Sequence, residues 1–252
     1  MLQRLKNWLK RSSNSYSGRK LLAKLGMADV ALIGRIRDQR LSYLSEGKLA
    51  NLCLLCREAE RQNLPGVFIE AGCALGGSAI LIASAKSVAR PLQLYDVFGQ
   101  IPPPTSGDTA EVHARYQTIV EGKSVGIGGD PYYGYQSNLD AVVRANLTDY
   151  GIDCTQHSVT LIKGLVEETL RLDQPVAFAH IDVDWYQPVK TCLERIFPNL
   201  VVGGSLVLDD YFAWGGCRKA ADEYLFRVKR EVKLDKQASA LIITRRRPRD
   251  GI

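Results

Sequence analysis

Apolar positions along this chain change their spacing near residue 65. Before it they recur at helical intervals, interrupted by the turn-forming stretches SSNSYSG and LSEG, so residues 1–60 read as helices. After it, short apolar runs alternate with helical stretches. GVFIEAG, PLQLYDVFG, DCTQHSVTLIKG, PVAFAHIDVD and SLVLDDY read as five strands in chain order. Helices are expected over LGGSAILIASAKSV, GLVEETLRL, QPVKTCLERIFPNL (closed by VVGG) and GCRKAADEYLFRVKRE. EVKLDK and ASALIITRR close the chain as an antiparallel pair. This alternation predicts an α/β fold: a doubly wound, mostly parallel seven-stranded sheet with helices on both faces. The division is a helical extension over 1–60 and an α/β domain over 61–252. Residues 99–137 break the alternation. They are too long for an ordinary connection, rich in Gly, Pro and Tyr, and follow the second strand, which predicts a lid over a ligand.

At 252 residues, 46% hydrophobic and 24% charged, the chain can bury one sizeable core. No apolar run approaches the ~20 residues of a membrane span. The N-terminal MLQRLKNWLKR mixes Lys and Arg into its apolar positions and does not read as a signal peptide. The six cysteines follow no disulfide framework, and Cys53 and Cys56 lie in a helical stretch without a second pair. They read as buried thiols in a reducing cytoplasm rather than zinc ligands. Charge is unevenly spread. Residues 1–24 carry seven basic and no acidic side chains, and residues 245–252 carry four arginines and one aspartate. The body between is mildly acidic, which argues against a nucleic-acid groove. Leu2, Leu5, Trp8 and Leu9 share one face of a basic helix. Packing on the body or on a second subunit is expected there, ahead of an anionic membrane surface.

In doubly wound sheets ligands sit at the carboxyl ends of the strands. Glu70, Asp96, Asp182, Asp209 and Asp210 all fall at those ends. Asp182 and Asp184 lie two residues apart in HIDVDWYQP, so both project from one face and repel unless a positive charge or a proton intervenes. Asp209 and Asp210 end the next strand. Three or four carboxylates in one crevice suit Mg2+, which lowers the pKa of a bound hydroxyl, while a further carboxylate takes the proton. Gly72, Gly76 and Gly77 place a glycine loop where the first strand turns into a helix, but their spacing spells no pyrophosphate cradle. Asp96, at the tip of the second strand, is placed to accept hydrogen bonds from a ribose. A ribose without a pyrophosphate points to S-adenosylmethionine.

The order IEAGCALGG, LYDVFG, HIDVDWY and GGSLVLDDY resembles the macrocin O-methyltransferase (TylF/MycF) family of class I S-adenosylmethionine-dependent methyltransferases, over roughly residues 40–245. The resemblance implies Mg2+ held by Asp182, Asp209 and Asp210, with Asp184 as general base toward a sugar hydroxyl. It implies cofactor contacts from Glu70, Gly72, Ser78, Asp96, Gly164 and Asp182, a substrate lid after the second strand, and a homo-oligomer. Trp185, Tyr186, Tyr211 and Trp214 follow the acids and are candidates to wall a sugar site. His180 is expected to be a satisfied core residue, and Lys163 and Arg245 to Arg247 to be solvated. The expected function is therefore O-methylation of a sugar or glycosylated natural product. Two alternatives stand beside it: a metal-dependent glycosyltransferase using the D-x-D, and a non-catalytic cofactor-binding protein.

Overall fold

The computed structural model describes residues 16–247. The basic helix expected around Leu2–Leu9, and Arg249 near the C-terminus, lie outside them. Three helices come first: α1 (Tyr16–Leu22), α2 (Met27–Asp38) and α3 (Glu46–Arg61). The domain continues as β1 (Val67–Ala71), α4 (Gly77–Ala85), β2 (Leu92–Asp96), α5 (Ala110–Val120), α6 (Leu139–Asp149), β3 (Val159–Lys163) and α7 (Val166–Thr169). It ends with β4 (Val176–Ile181), α8 (Tyr186–Ile196), β5 (Leu200–Leu208), α9 (Gly215–Val228), β6 (Val232–Gln237) and β7 (Ala240–Arg245). The sheet order is β3-β2-β1-β4-β5-β7-β6, parallel except for β7. No helix among the described residues is long and apolar enough to cross a membrane.

Chain direction across the sheet reverses between β1 and β4, which opens a crevice at their carboxyl ends. The ladder runs one bond beyond each strand there. Gly72 N–H donates to Tyr95 O at 2.8 Å, Asp182 N–H to Ala71 O at 2.8 Å, Gly164 N–H to Asp96 O at 3.0 Å and Asp209 N–H to Ile181 O at 3.0 Å. Each loop thus leaves the sheet from a backbone position fixed by its neighbour.

Why the strands read as apolar runs is visible in their burial. Every residue of β1 and β4 is buried, as a parallel sheet covered on both faces requires. One core lies under α1–α4 and α6, with Ile33, Ile36, Leu49 and Ile80 fully buried. The other lies under α8 and α9. Val189, Cys192, Leu193 and Ile196 form the buried stripe of α8 at helical spacing. Each large aliphatic side chain so buried contributes about 1.5–3 kcal/mol relative to exposure.

Several boundaries differ from the sequence reading. VVGG does not close α8. It opens β5, with Gly203 at φ +88° beside a register shift between Val176 and Phe178. GLVEETLRL forms only the four-residue α7. Residues 138–152, to which no element was assigned, supply α6. Arg245 is not a solvated terminal charge: it donates to the carbonyls of Pro198 at 2.9 Å and Leu200 at 2.5 Å. The 99–137 insertion has structure of its own: α5, two single-turn 3-10 helices, a bridge between Val125 and Pro131, and an Arg40–Asp130 ion pair at 2.9 Å.

Candidate active site

Two cavities meet above the switch point. The smaller, about 310 Å³, is walled by Gly72, Asp96, Val97, Ile101, Pro102, Gly164, Leu165, Val166 and Asp182, among others. The larger, about 530 Å³, is walled by Tyr43, Lys48, Arg115, Tyr132, Trp214, Asp209 and Asp210, among others. Gly72, Asp96, Ile101, Tyr133, Asp182, Asp184 and Trp185 line both and form their shared edge.

The glycine loop owes its shape to close approach. Gly72 has φ +83°, and a Cβ there would lie 1.9 Å from the Asp182 carbonyl oxygen. Asp96 fastens the rest of the loop. Its Oδ2 accepts from the N–H groups of Cys73 at 2.8 Å and Ala74 at 3.2 Å, and its Oδ1 from Phe98 N–H at 2.7 Å. Ala74 and Phe98 both hold positive φ, so the carboxylate is stabilising two conformations that L-residues avoid. Burial raises the pKa of Asp96 and the three backbone donors work against that rise. The Cys73 thiol also hydrogen-bonds this carboxylate, and Asp96 lines both cavities.

One oxygen each of Asp182, Asp184 and Asp210 lies within 4.8 Å of the others. Burial, then the charges of Asp209, Asp210 and Asp184, push Asp182 well above the usual carboxylate range. Asp184 is raised by burial and by Asp210, and Asp210 is pushed up to about 6 by burial and by Asp209. Among the described residues, the buried Asp210 Oδ2 has no hydrogen-bond partner. A crowded, under-compensated set of hard oxygens fits a divalent cation that prefers oxygen ligands.

Asp209 behaves differently. Its Oδ2 accepts from Lys48 Nζ at 2.5 Å, and its carbonyl accepts from the same ammonium at 3.3 Å. Burial lowers the pKa of Lys48, but Asp209, then Asp182 and Asp210, outweigh this and hold it raised. Lys48 sits in the first turn of α3, so the N-terminal helices contribute directly to the site. Nothing in its sequence context separates it from a solvated lysine. Lys48→Met strands the Asp209 charge and is expected to cost about 2 kcal/mol of stability, the full value for a buried pair being discounted for the partly exposed lysine. Chemical denaturation measures it.

Asp184 occupies a strained turn. It has φ +56°, and Trp185 N–H donates to Val183 O at 2.6 Å across it. Such a position costs of order 1–3 kcal/mol and persists only where its surroundings hold it.

The remaining sequence candidates divide. Gly164, at φ +139°, lines the smaller cavity. Ser78 is buried within α4 and walls neither cavity. Glu70 also walls neither. β1 continues past it to Ala71, and its fully buried carboxylate lies 2.8 Å from His180 Nδ1 on the neighbouring strand. Glu70 Oε2 and His180 Nε2 have no hydrogen-bond partner among the described residues. Trp185 and Trp214 face the cavities and pack edge-on at 5.8 Å. Tyr186 and Tyr211 do not present their hydroxyls to the site. They donate instead to Glu223 and Asp222, at 2.6 and 2.7 Å. Lys163 pairs with Asp140 at 3.2 Å, and none of the six cysteines is bridged.

A sheet of this order, with a glycine loop after β1 and acids after β4 and β5, invites comparison with known proteins. The family described as Macrocin-O-methyltransferase (TylF) matches residues 38–238. The chain belongs to this family. Among its relatives is the demethyldecarbamoylnovobiocin O-methyltransferase of Streptomyces niveus, 26% identical over 185 residues, which are 70% of this chain and 64% of that one. Another is the 8-demethyl-8-(2,3-dimethoxy-alpha-L-rhamnosyl)-tetracenomycin-C 4'-O-methyltransferase of Streptomyces olivaceus, 27% identical over 199 residues, 77% of this chain and 66% of that one. The chain therefore spans less than two thirds of the length of either. The O-methyltransferase NovP shares the fold with a TM-score of 0.67 at 24% identity, covering 82% of this chain and 83% of its own. The calicheamicin methyltransferase CalS11 does so with a TM-score of 0.60 at 20% identity, covering 96% and 90%. The TylF family match spans the N-terminal Lys48, the 99–137 insertion and all four of the clustered acids.

Proposed function

We propose that this protein transfers the methyl group of S-adenosylmethionine to a hydroxyl of a sugar or glycosylated natural product, with Mg2+ at the acid cluster. The observation that carries the reading is the meeting of Asp182, Asp184 and Asp210 within 4.8 Å on the edge shared by two cavities. The cavities differ in chemistry. Val97, Ile101, Pro102, Leu165 and Val166 make the smaller one largely apolar, with Asp96 and Asp182 also on its wall. That suits a flat base with a hydroxylated, cationic tail. Tyr43, Tyr132, Trp214, Lys48 and Arg115 make the larger one aromatic and polar, which suits a sugar. Family membership supports the cofactor. The rhamnosyl group in the name of the Streptomyces olivaceus relative, and a CalS11 structure described as a TDP-rhamnose 3'-O-methyltransferase, support a sugar acceptor.

S-adenosylmethionine supplies a sulfonium-bound methyl, and Mg2+ supplies positive charge that lets a hydroxyl lose its proton near neutral pH. The chain's residues do the rest. Asp182 and Asp210 would hold the cation. Asp184, which borders both cavities, receives the hydroxyl proton on its carboxylate. Asp209, whose Oδ2 accepts from Lys48, would join the cation set through its other carboxylate oxygen. Trp185 and Tyr133 wall the shared edge and would exclude water from reactants bound there. The 99–137 insertion serves as lid to both cavities, through Ile101 and Pro102 on one side and Arg115 and Tyr132 on the other. A homo-oligomer belongs to the same reading.

Calorimetric titration with S-adenosylhomocysteine, followed by methyl transfer to a panel of nucleotide sugars and glycosides with Mg2+ or EDTA, tests this. Binding together with Mg2+-stimulated transfer supports the reading; absence of binding overturns it. Asp96→Ala is expected to weaken S-adenosylhomocysteine at least ~10-fold, since three charge-assisted bonds that shape the cradle go with it. Unchanged affinity would remove Asp96 from the cofactor site.

A further inference from the structure

Asp184 sits in a turn that its own sequence does not secure. The helix that follows, α8, starts at Tyr186, and its cap position is Trp185, whose side chain makes no cap hydrogen bond. An indole carries no acceptor for the free N–H groups of a first helical turn. The missing acceptor comes from the insertion. Asp108 Oδ1 accepts from Tyr186 N–H at 2.7 Å, and Asp108 Oδ2 accepts from Thr105 N–H at 2.9 Å. Trp185 Nε1 donates to Pro102 O at 3.0 Å, a second tie between the same two segments. The seat is shaped for this contact. A Cβ on Gly107 would lie 2.2 Å from the Tyr186 ring, and one on Gly216 of α9 would lie 2.1 Å from Asp108 Oδ1.

We propose that Asp108 is a positioning residue: by capping α8 from the insertion it holds the Asp184 turn in register with Asp182 and Asp210. The inference rests on the proposed methyl transfer for its meaning, and on the cap geometry for its substance. Docking of the insertion and placement of the acid cluster then become one event. With the lid seated, the two cavities are walled and Asp184 is in place. With Asp108 off its seat, the strained turn loses its outer support.

Two variants attack the contact from opposite sides. Asp108→Ala removes the cap. Gly216→Ala leaves Asp108 present but puts a methyl where its Oδ1 rests, and alanine suits a helix better than glycine. Both are expected to lower kcat about 30- to 100-fold, the scale of a small misplacement of reacting groups. Both should also weaken Mn2+ binding measured by calorimetry about tenfold and speed protease cleavage within 99–137. S-adenosylhomocysteine affinity should change less than fivefold. Asp108→Asn, which keeps an acceptor for Tyr186, should recover most of the loss, and the double variant Asp108→Ala/Gly216→Ala should be no worse than either single one. Folded variants whose kcat and Mn2+ affinity stay within twofold of the parent overturn the proposal, as does a loss confined to KM. If the parent protein binds no S-adenosylhomocysteine, the methyl-transfer reading fails instead, and Mn2+ affinity with cleavage rate still decides the role of Asp108.

Discussion

Asp210→Asn is expected to abolish Mg2+-stimulated methyl transfer, lowering kcat by at least ~10³-fold, the equivalent of about 4 kcal/mol of transition-state stabilisation. The same change should make the metal-free protein more stable, by about 1–2 kcal/mol. The two signs have one cause. Asp210 is 7% exposed, one of its oxygens has no hydrogen-bond partner, and Asp182, Asp184 and Asp209 crowd it. Folding the chain without a cation forces these like charges together, and an amide removes one of them while keeping the shape. A cation reverses the balance, because it needs the charge that the amide lacks. Thermal unfolding with and without Mg2+ therefore reads the effect directly: the parent should be stabilised by the metal and the variant should not. A variant that remains fully active in excess EDTA would sink the metal assignment and leave the cofactor reading standing. Asp209→Asn separates the two groupings of acids. If Lys48 is its only partner, the variant loses stability and keeps its Mg2+ requirement. If Asp209 also serves the cation, the Mg2+ concentration for half-activation rises.

Gly72→Ala should be the most damaging single added methyl among the described glycines. Its Cβ would meet the backbone oxygen of Asp182 at 1.9 Å, and backbone cannot rotate away as a side-chain tip can. Strain at φ +83° adds to the overlap, for a combined cost of about 3 kcal/mol or more. Relief requires β1 and β4 to part at their tips, which displaces the Asp182 side chain and the floor of both cavities. Loss of S-adenosylhomocysteine binding by at least ~100-fold, or an insoluble protein, is the expected result of calorimetry and expression. Near-parental binding would show that the crevice tolerates separation of the two strands, and Gly72 would then be no more than a turn residue.

Much of the architecture was legible before any coordinates because strands buried on both faces leave an unmistakable trace. PVAFAHI contains nothing that tolerates water for long except His180, and its burial over the whole of β4 follows. The position of the site was legible for the same reason: acids directly after such runs must lie at strand tips. Less legible were boundaries set by partners rather than by local pattern. VVGG reads as a helix stop and lies inside β5, in the irregularity between the Val176–Leu200 and Phe178–Ser205 pairs, where Gly203 takes a positive φ and the pairs on either side carry the strand through. Glu70 reads as a tip acid and is an interior one, because β1 extends one residue further and His180 stands opposite.

The sequence by itself determined the doubly wound sheet, the glycine loop and the delivery of Asp96, Asp182, Asp184, Asp209 and Asp210 to one end of that sheet, since strand period and loop position are local properties. Tertiary structure alone decided how those acids are divided. Lys48 reaches Asp209 across 161 positions of chain, Asp108 reaches the first turn of α8 across 78, and Asp96 gives one oxygen to the glycine loop and the other to Phe98 N–H. Such pairings depend on which side chains the closed backbone brings within hydrogen-bond distance, and no spacing along the chain encodes that distance.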